Sequence, residues 1–281
     1  MRPAVLVQYV LPHRALSRLV YWATRWTWRP WKNFLIGRVV KAYRVDMTQA
    51  EQTDPLAFPS FNAFFTRALK PGARPLPDDA RAIACPADGR ISQFGPVRNG
   101  RIVQAKGQDF SAAELLGDEA AAAPYQNGRF ITIYLSPRDY HRVHAPLSGT
   151  LRETAHIPGR LFSVAPFAVD TVPRLFARNE RLVCHFDGGC GPFAVVLVGA
   201  MLVSGVETVW GGVEIPPSAN TIVRRAWRDK NIRLERGVEL GRFNMGSTVV
   251  VLLPSDKVDL CSELSVQMPI KMGQAIGRII T

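Results

Sequence analysis

After Cys85 the chain is written in short β-branched runs, each closed by glycine, proline, aspartate or asparagine: Arg101–Ala105, Arg129–Leu135, Gly149–Ile157, 181–186, 193–203, 221–227 and 248–253. Side chains branched at Cβ suit a pleated, half-buried surface, and the residues between the runs are those that turn a chain back on itself. The pattern therefore predicts mostly antiparallel strands. With 281 residues, 47% of them hydrophobic, there is material for one large core or two small ones. Ordinary glycine and proline content excludes disordered and collagen-like chains. Residues 111–123 read as one short helix. The expected class is α+β, a mainly antiparallel β domain over 48–281 preceded by amphipathic helices over 1–47.

That N-terminal segment has its own signature. Projected at 100° per residue from Arg14, residues Arg18, Arg25 and Arg29 fall within about 60°, whereas Leu16, Leu19, Val20, Ala23 and Trp26 fall on the opposite face. Pro30 interrupts, and Trp31, Phe34, Leu35, Val39, Ala42 and Tyr43 continue at helical spacing. Such helices can pack on the protein's own core. Arginines opposite apolar side chains, with Trp22, Trp26, Trp28 and Trp31 among them, are also what a helix lying in an anionic bilayer interface needs, and this is the preferred reading. A second helix is expected from Ser60, as N-cap, through Phe61, Phe64, Phe65 and Leu69.

The longest apolar run, 193–203, is about half of what a bilayer-spanning helix needs. Arg2 followed by apolar 4–11 lacks a small-x-small cleavage pattern, so no signal peptide is expected. Cys85, Cys184, Cys190 and Cys261 lack paired short spacings and read as reduced thiols of a cytoplasmic protein, implying neither disulfides nor zinc. A net charge of +12 favours an anionic partner: nucleic acid, acidic lipid or an acidic small molecule. No nucleic-acid recognition motif accompanies it.

Three places could carry chemistry. His141 and His144 stand in 136–146, a stretch that reads as a loop after a strand, and no well-spaced third ligand suggests a metal. Asp88, in Pro86-Ala87-Asp88-Gly89, is by local evidence a turn residue accepting its own backbone N–H groups. Gly246-Ser247-Thr248 precedes an apolar strand and by itself is a weak signal. These residues also fit a serine hydrolase triad acting on another molecule.

Together with Phe61-Asn-x-Phe64-Phe65-x-Arg67-x-Leu69, Gln104-Ala-Lys-Gly107, Tyr134 to His144, Pro158-Gly-x-Leu161-Phe-Ser-Val164, Phe176 to Arg181, Glu207-Thr-Val-Trp210 and Gly241-Arg-Phe243, these segments resemble the bacterial phosphatidylserine decarboxylases, pyruvoyl-dependent enzymes of phospholipid synthesis. The resemblance extends to about Leu253. Two departures stand out: Met245 where the family usually has Leu, a volume-conserving change, and Ala165 where close relatives often carry Asn.

The resemblance implies conversion of phosphatidylserine to phosphatidylethanolamine and CO2 through a Schiff base with a pyruvoyl group made from Ser247, with no metal. Self-cleavage between Gly246 and Ser247 would give a large chain, 1–246, and a small pyruvoyl chain, 247–281, which stay associated and can pair as a homodimer. Asp88, His144 and Ser247 would form the cleavage triad: His144 as base, Asp88 orienting its ring, and Gly246 giving an uncrowded carbonyl and tolerating strained dihedrals. His141 would serve decarboxylation as acid or positioning group. The expected location is peripheral, on an anionic surface at the cytoplasmic side of the cell membrane.

Overall fold

The computed structural model describes residues 3–202, 205–216 and 219–280; Arg2 and Val203, named above, lie outside them. Its frame is a nine-stranded antiparallel sheet. Along its main path the strands run Val223–Ala226, Gly149–Ile157, Arg181–Gly188, Gly191–Val198, Ser247–Leu253, Arg129–Leu135, Gly89–Pro96 and Pro269–Ile270, and Arg233–Leu234 pairs with Gly149–Ile157 beside Val223–Ala226.

Both faces of this sheet are covered, which explains why its middle strands read as unbroken apolar runs rather than as alternating ones. In Ser247–Leu253 the side chains of Val249, Val251 and Leu253 enter one core, and those of Val250 and Leu252 enter another. The first core is closed by a four-stranded sheet (Gly212–Ile215, Val206–Thr208, Glu239–Phe243, Arg142–His144) and a three-stranded one (Ala82–Ala84, Ala275–Ile279, Val258–Leu260). Short helices and the Arg101–Ala105 and Gln108–Ser111 hairpin close the second.

The N-terminal segment folds as α1 (Pro3–Val10), α2 (His13–Arg25) and α3 (Arg29–Tyr43). The arm is docked on the body. Val5 enters the second core, and Gln8 Oε1 accepts the Ser163 N–H at 2.8 Å. Ile36 and Val45 join Phe61, Phe64 and Phe65 of α4 (Phe61–Phe65) in a third cluster. Ser60 caps α4 as expected, accepting the Ala63 N–H at 3.2 Å.

The amphipathic face of α2 is turned the opposite way from an ordinary surface helix. Arg25 pairs with Glu207 at 3.4 Å and lies over the Tyr21 ring, and Arg14 donates to Asn220 Oδ1 and Ala219 O, each at 3.0 Å. Arg18 and Arg29 are exposed. The apolar side faces outward: Leu19, Trp22 and Trp26 are 67%, 73% and 56% exposed.

Local departures from the sequence reading have local causes. Residues 111–123 form two helices, Ala112–Leu116 and Glu119–Ala122, because Gly117 at φ 68° ends the first and Asp118 caps the second. Ala165 occupies the N-cap of the Pro166–Val169 turn and offers no side-chain acceptor there. All four cysteines are free thiols.

Candidate active site

Several segments meet where the central strand begins. Ser247, its first residue, pairs with Leu135 and is fully buried, yet its Oγ has no hydrogen-bond partner, and neither has Thr248 Oγ1. An unsatisfied buried hydroxyl costs about 1–3 kcal/mol, so stability alone does not account for a serine here. The link leading into it is tightly held. Phe243 N donates to His141 O at 3.0 Å, Asn244 N to Gly205 O at 2.9 Å, and Asn244 Nδ2 to Glu207 Oε1 at 2.8 Å. Through Glu207 this link is tied to Arg25 of α2.

Met245 has φ 155°, a conformation that L side chains rarely adopt. The strain expected at Gly246 therefore falls one residue earlier. A Cβ built on Gly246 would meet only Leu135 O, at 3.7 Å; what the glycine provides is an open approach to its carbonyl. Met245 itself packs against the second and third apolar clusters, where a flexible thioether replaces leucine without loss of volume.

His144 lies on a strand, Arg142–His144, opposite Glu239, rather than in a loop. Its Nδ1 is 2.8 Å from Gly237 O, which can only accept, so Nδ1 carries the proton and Nε2 the lone pair. The Tyr140 hydroxyl, 3.0 Å away, donates to that lone pair. Burial lowers the His144 pKa, and the Gly237 hydrogen bond offsets part of this.

His141 is fully buried beneath Phe65, with ring centroids 4.0 Å apart. Its Nδ1 donates to Asp139 O at 2.8 Å, and Nε2 has no partner. Burial pushes its pKa down to about 3, so the ring is neutral and Nε2 has no proton to give. In this state Nε2 can accept a hydrogen bond but not donate one.

Asp88 is 1% exposed in the turn before Gly89–Pro96. Gly89 is required there, since a Cβ would come within 2.2 Å of Tyr134 O. The carboxylate does not cap its own turn, nor does it orient His144, whose Nδ1 is given to Gly237. Arg74 Nε reaches Oδ1 at 2.8 Å and Nη2 reaches Oδ2 at 2.5 Å; Lys271 Nζ is 3.3 Å from Oδ2, and Met272 N donates to Oδ1 at 2.9 Å. Burial alone would raise the Asp88 pKa, but these hydrogen bonds and charges outweigh it and hold the group below the usual carboxylate range. The negative charge nevertheless reaches both histidines, raising the pKa of each slightly against the effect of burial.

Arg74, Lys271, Tyr140 and Gly237 were not singled out from the sequence. Tyr140 stands inside a segment that was, but nothing local marks Arg74 or Lys271 as partners of Asp88. Among the described residues no group of three or more His, Cys, Asp or Glu side chains is placed to hold a metal.

Comparison with known proteins matches this arrangement to a family. The family model for phosphatidylserine decarboxylase matches residues 61–278, and a second model, described as PSD, matches residues 3–44. The chain belongs to the phosphatidylserine decarboxylase family. It is 61% identical over 271 residues to the phosphatidylserine decarboxylase proenzyme of Xanthomonas euvesicatoria pv. vesicatoria (strain 85-10), covering 96% of each chain. With the proenzyme of the same name from Xylella fastidiosa (strain M23) the identity is 55% over 269 residues, covering 96% of this chain and 92% of the relative. Every residue discussed at the site except Arg25 lies inside the span of the phosphatidylserine decarboxylase model, and Arg25 lies inside that of the second model.

Proposed function

We propose that this member of the phosphatidylserine decarboxylase family, a carboxy-lyase acting on phosphatidylserine, makes its electron sink from its own Ser247 and works at a membrane surface. The observation that carries this is the state of Ser247: a fully buried hydroxyl with no partner, one residue past an open glycine carbonyl and two past a strained backbone. This hydroxyl has no hydrogen bond to His144, whose ring nitrogens meet Tyr140 and Gly237, so no hydrolase triad stands ready for another molecule. The hydroxyl can reach its own neighbour.

In this reading Ser247 Oγ attacks the Gly246 carbonyl carbon, turning the peptide into an ester as the amide nitrogen takes up a proton. Removal of the Ser247 α-proton then expels the Gly246 carboxylate and leaves dehydroalanine, which hydrolyses to ammonia and a pyruvoyl group. His144 Nε2, held as the unprotonated nitrogen by Gly237, takes the hydroxyl proton once Tyr140 gives way. Asp88 acts on His144 through its charge, which favours the imidazolium, rather than through a hydrogen bond. A pyruvoyl carbonyl supplies a sink for the electrons left when CO2 departs from the serine α-carbon, and no unmodified side chain does this. His141 Nε2, buried and lacking a donor, positions substrate by accepting a hydrogen bond.

The arm gives the enzyme its surface. With Arg25 and Arg14 committed to the body, Leu19, Trp22 and Trp26, joined by Trp28 and Phe34, present an apolar patch to the outside, and a lipid-metabolising enzyme with a net charge of +12 has an anionic bilayer as its natural cover. This departs from the expectation that the four arginines together meet the lipid. Among the described residues no helix is long and apolar enough to cross a membrane.

Intact-mass measurement tests the chemistry. The parent should appear as fragments 1–246 and 247–281, the second lighter by one ammonia than a peptide beginning with serine. Ser247→Ala should stay whole and release no CO2. An active preparation that remains one uncut chain overturns the reading.

A further inference from the structure

A cavity of about 250 Å³ opens beside Asp88, and its charges do not balance. Arg44, Arg67, Arg74, Arg90, Arg138 and Lys271 line it. Its three carboxylates are already engaged. Asp88 is held by Arg74 and Lys271, Asp46 accepts from Thr48 N and Oγ1 at 2.9 and 2.7 Å, and Asp139 accepts from Ser136 N and Oγ at 2.8 and 2.6 Å.

Arg67 is the side chain that points to a ligand. It is 4% exposed, and only Nη2 is used, donating to Arg138 O at 3.0 Å and Asp139 O at 3.4 Å. Nε and Nη1 are buried without partners. A guanidinium cannot lose its charge to relieve this, and Nε and Nη1, on different edges of its plane, are two separate charged donors, each short of an acceptor such as an oxyanion provides.

We propose that this cavity is a phosphate site, in which Arg67 gives a charge-assisted hydrogen bond from one of its orphaned donors to a phosphate oxygen and Arg44, Arg90 and Arg138 supply the surrounding positive charge. A carboxylate offers only two oxygens, whereas phosphate offers more of them, and more charge, to a ring of several arginines. Two sources share this chemistry: free phosphate and the phosphodiester of a lipid headgroup. The headgroup source rests on the decarboxylase reading, under which the phosphodiester is also the better occupant. Pairing the departing carboxylate with a fixed cation would stabilise it before the reaction and slow its loss.

The test is binding, without turnover, to the full-length Ser247→Ala chain at low ionic strength. Inorganic phosphate and glycerophosphoserine are titrated separately and followed by calorimetry and by phosphorus NMR line width. Saturable binding of both is expected at millimolar concentrations, and Arg67→Gln should weaken it by roughly 10- to 100-fold, the worth of one or two charge-assisted hydrogen bonds. Arg44 and Arg138 are exposed, so an Arg44→Gln, Arg138→Gln double variant should fold whatever becomes of Arg67→Gln and should bind several-fold more weakly. Phosphate binding without glycerophosphoserine binding overturns the headgroup source and leaves a free-phosphate site. No saturable binding of either ligand, or affinities unchanged in both variants, overturns the site. Because no step needs cleavage, failure here and failure of the pyruvoyl reading are separate results.

Discussion

The central strand Ser247–Leu253 and helix α2 are both rich in apolar side chains, and the fold treats them in opposite ways. The strand has every residue buried, between two cores. The helix lays Arg14 and Arg25 on the body and leaves Leu19, Trp22 and Trp26 outside. Apolar content therefore does not decide burial in this molecule. What decides it is whether polar atoms on the other side of an element find partners: Arg25 finds Glu207 and Arg14 finds the 219–220 backbone and side chain, which fixes the helix with its apolar face out.

The sharpest way to break this contrast is to make the outer face polar. Leu19→Ser, Trp22→Ser and Trp26→Ser together should reduce vesicle co-sedimentation by at least about a thousandfold at any salt concentration, since each buried apolar side chain contributes roughly 1.5–3 kcal/mol and such burial is not screened. Charge reversal at the exposed Arg18 and Arg29 should cost about two decades at low salt and much less at high salt. If the serine variant binds like the parent, the patch has another cover.

A stability comparison addresses the same contrast from inside. Leu252→Ala should lower unfolding free energy by about 2–5 kcal/mol, because Leu252 is fully enclosed, whereas Leu19→Ala should change it by less than about 0.5 kcal/mol. Equal losses in urea titrations would mean that α2 is buried in solution.

A further effect is in the pH dependence of the body. Burial lowers the pKa of His141 to about 3 and of His185 to about 4, from 6.5 for the unfolded chain. Between pH 6.5 and 4 the unfolded state therefore binds more protons, so stability must fall as pH falls, by up to roughly 1.4 kcal/mol per pH unit for each histidine. His185→Gln should remove one proton's worth of that slope. An unchanged slope would place His185 in water.

How far the sequence foretells this structure depends on the range of the interaction. The strands 101–105, 129–135 and 149–157 lie where β-branched runs place them, and Ser60 caps α4, because turn chemistry and capping act over a few residues. Asp88, His141, His144 and Ser247 were legible only as residues of interest. Their partners were not: Arg74 is 14 residues from Asp88, Lys271 is 183 away, and Gly237 is 93 from His144. Nothing in a local pattern records which distant backbone carbonyl a ring nitrogen will meet. The orientation of α2 was missed for the same reason, since its periodicity shows two faces and is silent on which one the body takes.

The position of Ser247–Leu253 in the sheet also bears on when the proposed cut could occur. The strand is hydrogen-bonded on one side to Arg129–Leu135 and on the other to Gly191–Val198, and the segments after it supply an edge strand, Pro269–Ile270, to the large sheet and two of the three strands, Ala275–Ile279 in the middle and Val258–Leu260 at an edge, to the three-stranded one. A chain severed at 246/247 before folding would have to thread a short peptide into the middle of a finished sheet. Severed afterwards, it leaves the architecture standing, with the fragment laced through its partner on both flanks. If the chain is cut as proposed, maturation would change the number of chains without changing the number of bodies, with the fold first and the cut last.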